Sequence, residues 1–178
     1  MKTLIAGTGN VFLGDDGFGC EVARRLTGAG LPEGAHVAEF GISGMHLAYE
    51  LLDGYDVAIL VDATARGEAP GTLYVIEPRP GDAPVAMDAH GMQPDAVLGL
   101  VNLLGGSKCR VLVVGCEPAD TGQGMGLSAP VEAAVGEAVR LVTGLAWQNQ
   151  QGGVDHVQDR ADRPDRGGTG VSGQEDRA

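Results

Sequence analysis

Acidic and imidazole side chains that could carry chemistry lie in separate loops of this sequence. Asp15 and Asp16 are adjacent in a glycine-bounded loop after the first apolar segment, and Asp62 ends the most apolar segment. His90 lies in a later loop, where Asp88 could orient its ring. Together, Asp16, Asp62 and His90 offer two carboxylates and one imidazole, a donor set that suits a divalent transition metal better than Mg²⁺.

Each of these residues also has an ordinary structural explanation. Aspartate at the start of a helix is favoured by capping and by the helix dipole, which explains one of the two adjacent acids. Asp62 could cap a loop, and His90 could be a solvated loop histidine. The other histidines are weaker candidates, because they lie in a predicted strand, a predicted helix and the C-terminal segment: His36, His46 and His156.

A dinucleotide-binding module is an alternative, because Gly7 and Gly9 follow the first predicted strand. The G-x-G-x-x-G spacing then requires a third glycine where Phe12 stands. The adjacent aspartates would also repel a pyrophosphate at the helix N-terminus that should receive it. Glu39 would be the candidate ribose contact in this interpretation.

Apolar runs and helical patterns alternate along residues 1–147. Strands are predicted at residues 3–6, 35–40, 57–61, 72–76 and 110–115, the fourth at a sheet edge. Helices are predicted at residues 16–27, 43–52, 94–104 and 128–145, with Ser43 and Ser128 as N-caps. This order predicts a single-domain, three-layer α/β/α fold with a twisted, mostly parallel sheet of about five strands. Loops after the carboxyl ends of such strands collect functional groups.

Composition excludes several classes of function. The 178 residues carry a formal charge of −12, which argues against nucleic acid and anionic membranes as partners. Three cysteines without paired spacing argue against a disulfide framework. With neither a signal peptide nor a membrane-spanning run predicted, we expect a cytoplasmic monomer. Residues 148–178 have few large aliphatic side chains, so we expect a disordered polar tail there.

The motifs together resemble the hydrogenase maturation proteases. The matching residues are Gly7, Gly9, Asn10, Asp15, Asp16, Gly17 and Gly19, then Val61-Asp62-Ala63, His90-Gly91-Met92 with Pro94, Gly115 with Pro118, and Leu127-Ser128 with Pro130-Val131. The resemblance covers about residues 2–146. It implies a twisted, mostly parallel sheet with helices on both sides and an endopeptidase activity. That activity removes a C-terminal peptide from the large-subunit precursor of a nickel–iron hydrogenase once nickel has been inserted.

The resemblance also implies roles for individual residues. Asp16, Asp62 and His90 fall on the three family positions that contact nickel, and the ion is expected to belong to the substrate, with no organic cofactor. Asp16 or Asp62 would then act as the general base for water. Asp15 is left to cap the following helix by accepting N–H bonds from its first turn. The chain departs from the family pattern in having Asp16 where Glu is common, and Glu39 near a position where many members have Asp. A non-catalytic nickel-site chaperone with the same ligands is a further alternative.

Overall fold

The computed structural model describes residues 1–78, 97 and 108–151. Five strands and three α-helices lie in these ranges, in this order: β1 (Thr3–Thr8), α1 (Phe18–Leu26), β2 (Ala35–Gly41), α2 (Gly44–Leu51), β3 (Val57–Ala63), β4 (Leu73–Ile76), β5 (Arg110–Cys116) and α3 (Ala129–Gln150). A short 3-10 helix, Gly14–Gly17, precedes α1. The helix predicted at 94–104 lies outside the described residues, apart from Val97.

The five strands form one sheet in the order β2-β1-β3-β5-β4. Neighbouring strands are parallel except for β4, which pairs antiparallel with β5 at the edge. In the centre, Gly7 of β1 is level with Val61 of β3, so these two strands end side by side. The chain leaves β1 towards β2 on one side and later enters β3 on the other. The carboxyl ends of β1 and β3 therefore flank the topological switch point, where open α/β sheets bind their ligands.

Helices cover both faces of the sheet. On one face, Ile5, Ile59 and Val114 pack under α1 and α3, whose buried side chains include Phe18 and Val135. On the other face, alternate residues of the same strands pack against α2: Leu4, Ala6, Leu60 and Val113, with Leu47, Leu51 and the single described residue Val97. A strand covered on both sides needs apolar side chains in both directions, which accounts for the continuous apolar run of β3. The predicted three-layer α/β fold is confirmed.

The predicted start of the first helix and two predicted helix caps are wrong. The first helix was placed at 16–27, but Gly14–Gly17 form a separate 3-10 helix before α1, because the Gly14 and Asp15 N–H groups bond to the carbonyls of Gly124 and Asp120. The caps also differ: the side chains of Ser43 and Ser128 make no capping hydrogen bond at the helices they precede.

The final helix continues to Gln150, beyond its predicted end near residue 145. A tail beginning at residue 148 is therefore wrong for 148–150. Asn149 is buried and takes a hydrogen bond from Arg110 at 3.2 Å, and the Gln150 amide donates to the Glu33 carbonyl at 2.7 Å. The polar composition of this last turn predicted a disordered segment, because the turn is held by hydrogen bonds to residues distant in the sequence and not by apolar contacts. Residues 152–178 lie outside the described part. No helix in the described ranges is long and apolar enough to span a bilayer.

Candidate active site

The two candidate acids meet at the switch point of the sheet. Asp16 lies in the 3-10 helix that follows β1, and Asp62 lies near the end of β3. Both side chains are 5% exposed, although they stand in loops or at a strand end. Buried carboxylates are uncommon unless they are paired or take part in chemistry. Sequence spacing alone could not show that these acids are buried together.

Two glycines allow the acids to approach. A Cβ on Gly19 would lie 2.0 Å from the Val61 carbonyl oxygen, so the start of α1 packs directly on the end of β3. Gly9 has a φ of +116°, and a Cβ there would lie 1.8 Å from the Asp16 carbonyl oxygen and 3.3 Å from Asp62 Oδ1. The absence of a side chain at Gly9 therefore lets the Asp16 backbone and the Asp62 carboxylate both pack close to this position. A side chain at Gly9 would displace the Asp16 backbone, and one at Gly19 would displace the ends of β1 and β3 at Thr8 and Val61.

Asp62 is poised to hold a proton near neutral pH. Burial, helped by the negative charge of Asp16, raises the pKa of Asp62 to about 7. The hydroxyl of Thr8 and the Ala63 N–H, which donates to Asp62 Oδ1 at 2.8 Å, oppose this shift. A carboxyl group with a pKa near 7 can accept and return a proton during catalysis.

Asp16 is fixed by the loop that it follows. Its Oδ2 accepts the Asn10 N–H at 2.7 Å. The Gly9 carbonyl oxygen on the same loop accepts a 3.5 Å contact from the Cys20 thiol, which is buried in α1. Burial and the charges of Glu39, Asp62 and Asp16 raise the pKa of that thiol to about 11, so it is neutral and poorly suited as a nucleophile.

Asp15 has a structural role, but with different partners from those expected. Within the described ranges, the hydrogen bonds that its carboxylate accepts come from the loop after β5 and from Ser128, not from the first turn of α1. Oδ2 accepts the N–H groups of Ala119 at 2.8 Å and Asp120 at 2.9 Å, while Oδ1 accepts the Ser128 N–H at 2.6 Å. The Ser128 hydroxyl adds a bond to Oδ2 at 2.8 Å. Burial alone would raise the pKa of Asp15, but these hydrogen bonds outweigh it and hold that pKa below its usual value.

The other candidates divide into two groups. His90, Asp88 and His156 lie outside the described residues. His36 and Glu39 are exposed on the edge strand β2, and His46 is exposed on α2 with its ring against Phe40 at 5.7 Å between centroids. The described ranges contain no cluster of three His, Cys, Asp or Glu side chains that could hold a metal ion. Asp16 and Asp62 are thus the part of the expected donor set that the structure brings together.

The dinucleotide alternative fits this geometry poorly. A pyrophosphate would need free N–H groups at the turn before α1. There the N–H groups of Gly14 and Asp15 are already bonded to carbonyl groups of the loop after β5. The two buried aspartates of the same turn add negative charge where a phosphate would have to enter.

Three residues support the site: Thr8 and Glu117 were missed by sequence reasoning, and Ser128 was given a different role. Thr8 donates its hydroxyl to the Val61 carbonyl at 3.1 Å and lies beside Asp62. Glu117, which is 5% exposed, accepts the Arg66 N–H at 2.8 Å and the Tyr74 hydroxyl at 2.6 Å, and so fixes the segment that follows Asp62. Ser128 was assigned to a helix cap. The available signal was weak: Glu117 lies between the motif residues Gly115 and Pro118, and Ser128 is itself a motif residue, but neither motif indicates these contacts.

Comparison with known proteins agrees with the fold and with these motifs. The HycI hydrogenase maturation protease family matches residues 20–145. A Methanocaldococcus jannaschii protein assigned as a hydrogenase maturation protease is 33% identical over 147 residues, which span 79% of this chain and 94% of that protein. The hydrogenase 2 maturation protease of Escherichia coli is 27% identical over 80% of this chain and 88% of its own.

Solved structures show the same likeness. The hydrogenase maturating endopeptidase HybD from E. coli superposes with a TM-score of 0.70, at 27% identity, over 85% of this chain and 94% of that chain. The family match spans more than half of the chain. The chain belongs to the hydrogenase maturation protease family.

Proposed function

We propose that this chain removes the C-terminal extension of a nickel–iron hydrogenase large-subunit precursor after nickel insertion, and that it reads the bound nickel through Asp16, Asp62 and His90. The observation that carries the proposal is the buried pair of Asp16 and Asp62 at the switch point of a maturation-protease fold. His90 enters on its motif alone, because it lies outside the described residues.

The pair suits recognition of a cation carried by the substrate. Burial and the nearby charge of Asp16 both disfavour the ionised form of Asp62. A divalent ion presented by the precursor would relieve both effects, because an opposite charge favours the ionised carboxylates. A precursor without nickel would offer no such relief and would be held more weakly. Cleavage would thereby depend on metal loading, with the nickel acting as part of the substrate.

We assign the general base of hydrolysis to Asp62. In its ionised form, Asp62 takes a proton from the water that attacks the scissile carbonyl carbon. A carbon–oxygen bond forms, and the carbon–nitrogen bond breaks as the leaving nitrogen receives the proton that Asp62 holds. Asp16 and its Asn10 contact position the loop around this centre. This assignment makes Asp62 the general base and Asp16 the second acid of the site.

The test is processing of a purified nickel-loaded precursor, followed as a mobility shift and by mass of the released peptide. The wild-type chain is expected to shorten the loaded precursor and to leave the nickel-free precursor intact. Binding without cleavage would instead identify a non-catalytic chaperone. Equal cleavage of loaded and nickel-free precursors would contradict nickel reading while leaving the endopeptidase activity in place.

A further inference from the structure

Exposed apolar side chains are concentrated around the mouth of the candidate active site. Five of them, called the rim here, have exposed fractions from 42% to 77%: Val11, Phe12, Ile42, Met45 and Met125. They come from the loop after β1, from the segment joining β2 to α2 together with the first turn of α2, and from the loop between β5 and α3. All three segments follow the carboxyl ends of strands that are parallel to one another.

Backbone hydrogen bonds join the three segments into one surface. The Gly9 N–H donates to the Gly41 carbonyl at 3.0 Å, which links the first segment to the second. The Gly14 N–H donates to the Gly124 carbonyl at 2.8 Å, and the Gly124 N–H donates to the Phe12 carbonyl at 2.9 Å. The first segment, which also contacts Asp16 through Asn10, therefore lies in the middle. The rim is continuous with the acid pair.

The rim segments also lack charge. Residues 9–13, 41–49 and 121–131 contain no Asp, Glu, Lys or Arg, although such residues make up 20% of the chain and leave a formal charge of −12. Protein interfaces are depleted of charged side chains at their centre and enriched in Met and aromatic residues. Solvent exposure alone would favour the opposite composition. Segments that are apolar, uncharged and beside a buried acid pair fit contact with another protein, although charged side chains of α1, β2 and α3 border the rim at Val11 and Met125.

We propose that the rim is the docking surface for the large-subunit precursor and that it binds an apolar, uncharged face beside the scissile bond. This inference rests on the proposed function, because the precursor must reach Asp16 and Asp62. An acidic chain that docked through charge would need a basic partner face and would bind more weakly as salt increased. Docking through the rim should depend less on ionic strength than docking through charge. Its two methionines can adapt to the shape of the partner.

The experiment measures binding of the full-length chain to the purified nickel-loaded precursor and single-turnover cleavage of it. The Phe12→Ser/Met125→Ser variant should weaken binding by about tenfold or more, since apolar residues at an interface centre dominate affinity. The Ile42→Ser/Met45→Ser variant tests the other side of the rim independently. Trp147→Ser is the matched control, because Trp147 is also exposed, at 44%, but lies on α3 near its C-terminal end. Melting temperatures verify that each variant folds.

The outcomes separate this inference from the proposed function. Weaker binding by both rim variants, with near-normal cleavage at saturating chain and little effect of salt, supports the docking surface. If both rim variants bind as the wild type does, and the wild type still processes the precursor, the docking-surface proposal is contradicted and the proposed function is not. An equal loss in the Trp147 variant also contradicts the docking-surface proposal, since the effect would not be local. A wild-type chain that neither binds nor cleaves the precursor overturns the proposed function and the docking surface together.

Discussion

Asp15 and Ser128 are joined by two hydrogen bonds, although 113 positions separate them in the sequence. The Ser128 N–H donates to Asp15 Oδ1 at 2.6 Å, and the Ser128 hydroxyl donates to Oδ2 at 2.8 Å. These bonds tie the turn that carries Asp16 to the start of α3. Asp15, the neighbour of the proposed catalytic residue Asp16, therefore fixes the turn after β1 against the start of α3.

Asp15→Asn should destabilise the protein even though it nearly preserves side-chain shape. The amide has one acceptor atom, so its NH₂ group would face either the Ser128 N–H or the N–H groups of Ala119 and Asp120. Losing buried bonds to a charged acceptor should cost about 2 kcal/mol or more in the free energy of unfolding. Ser128→Ala removes only the hydroxyl bond and should cost about 1 kcal/mol. Urea unfolding of both variants measures this; equal stability of Asp15→Asn and wild type would contradict it.

Asp62→Asn should stabilise the protein at neutral pH. The pKa of Asp62 is about 7 in the folded chain and 3.8 as the ordinary value, so the folded state binds the proton more tightly. Ionisation therefore lowers the stability of the wild type as pH rises from about 4 to 7. Relative to the wild type, the Asp62→Asn variant should have an unchanged free energy of unfolding near pH 4. Above pH 7, its free energy of unfolding should be higher by about 2 kcal/mol or more. Urea unfolding at both pH values tests the sign. If Asp62→Asn were more stable than the wild type by the same amount at both pH values, burial of a charged carboxylate would not be the cause of the added stability.

Gly9→Ala should disrupt the acid pair beyond the effect of backbone strain. Gly28 provides the control, because its φ of +102° is also positive but no atom lies within 4 Å of a Cβ there. Gly28→Ala should cost about 1 kcal/mol from strain alone. Gly9→Ala adds a collision with the Asp16 carbonyl and should cost several times as much, or prevent folding. Thermal unfolding compares the two variants. Similar melting temperatures would mean that the loop moves aside easily.

The position of a truncation should decide its effect. Ending the chain after Gln151 keeps every described contact of α3, so we expect a change within about 0.5 kcal/mol. Ending it after Trp147 removes Asn149 and Gln150, which bond to Arg110 and to the Glu33 carbonyl. That truncation should cost about 1 kcal/mol per lost bond. Melting curves of the two truncated chains decide the matter, and equal curves would show that the last turn contributes nothing.

Much of this fold could be predicted because burial on both faces of a sheet leaves a continuous apolar run, as in β3. Asp62 was placed at the end of that run for the same reason. The partners of Asp15 could not be predicted, because hydrogen bonds across more than a hundred residues leave no local pattern. The last turn of α3 was missed since Asn149 and Gln150 look like solvent-exposed residues. The proximity of Asp16 to Asp62 depended on the close packing at Gly9 and Gly19, which spacing does not reveal.

The central claim is that Asp16 and Asp62 together process a nickel-loaded precursor. The most direct measurement is the rate of precursor shortening by wild type, Asp16→Asn, Asp62→Asn and Asp53→Asn, the last an exposed acid before β3 that serves as the control. Thermal unfolding of the same preparations verifies that each is folded. The account predicts that Asp53→Asn cleaves like the wild type, while each of the other two variants is folded and inactive. Full processing by Asp16→Asn and Asp62→Asn would contradict it.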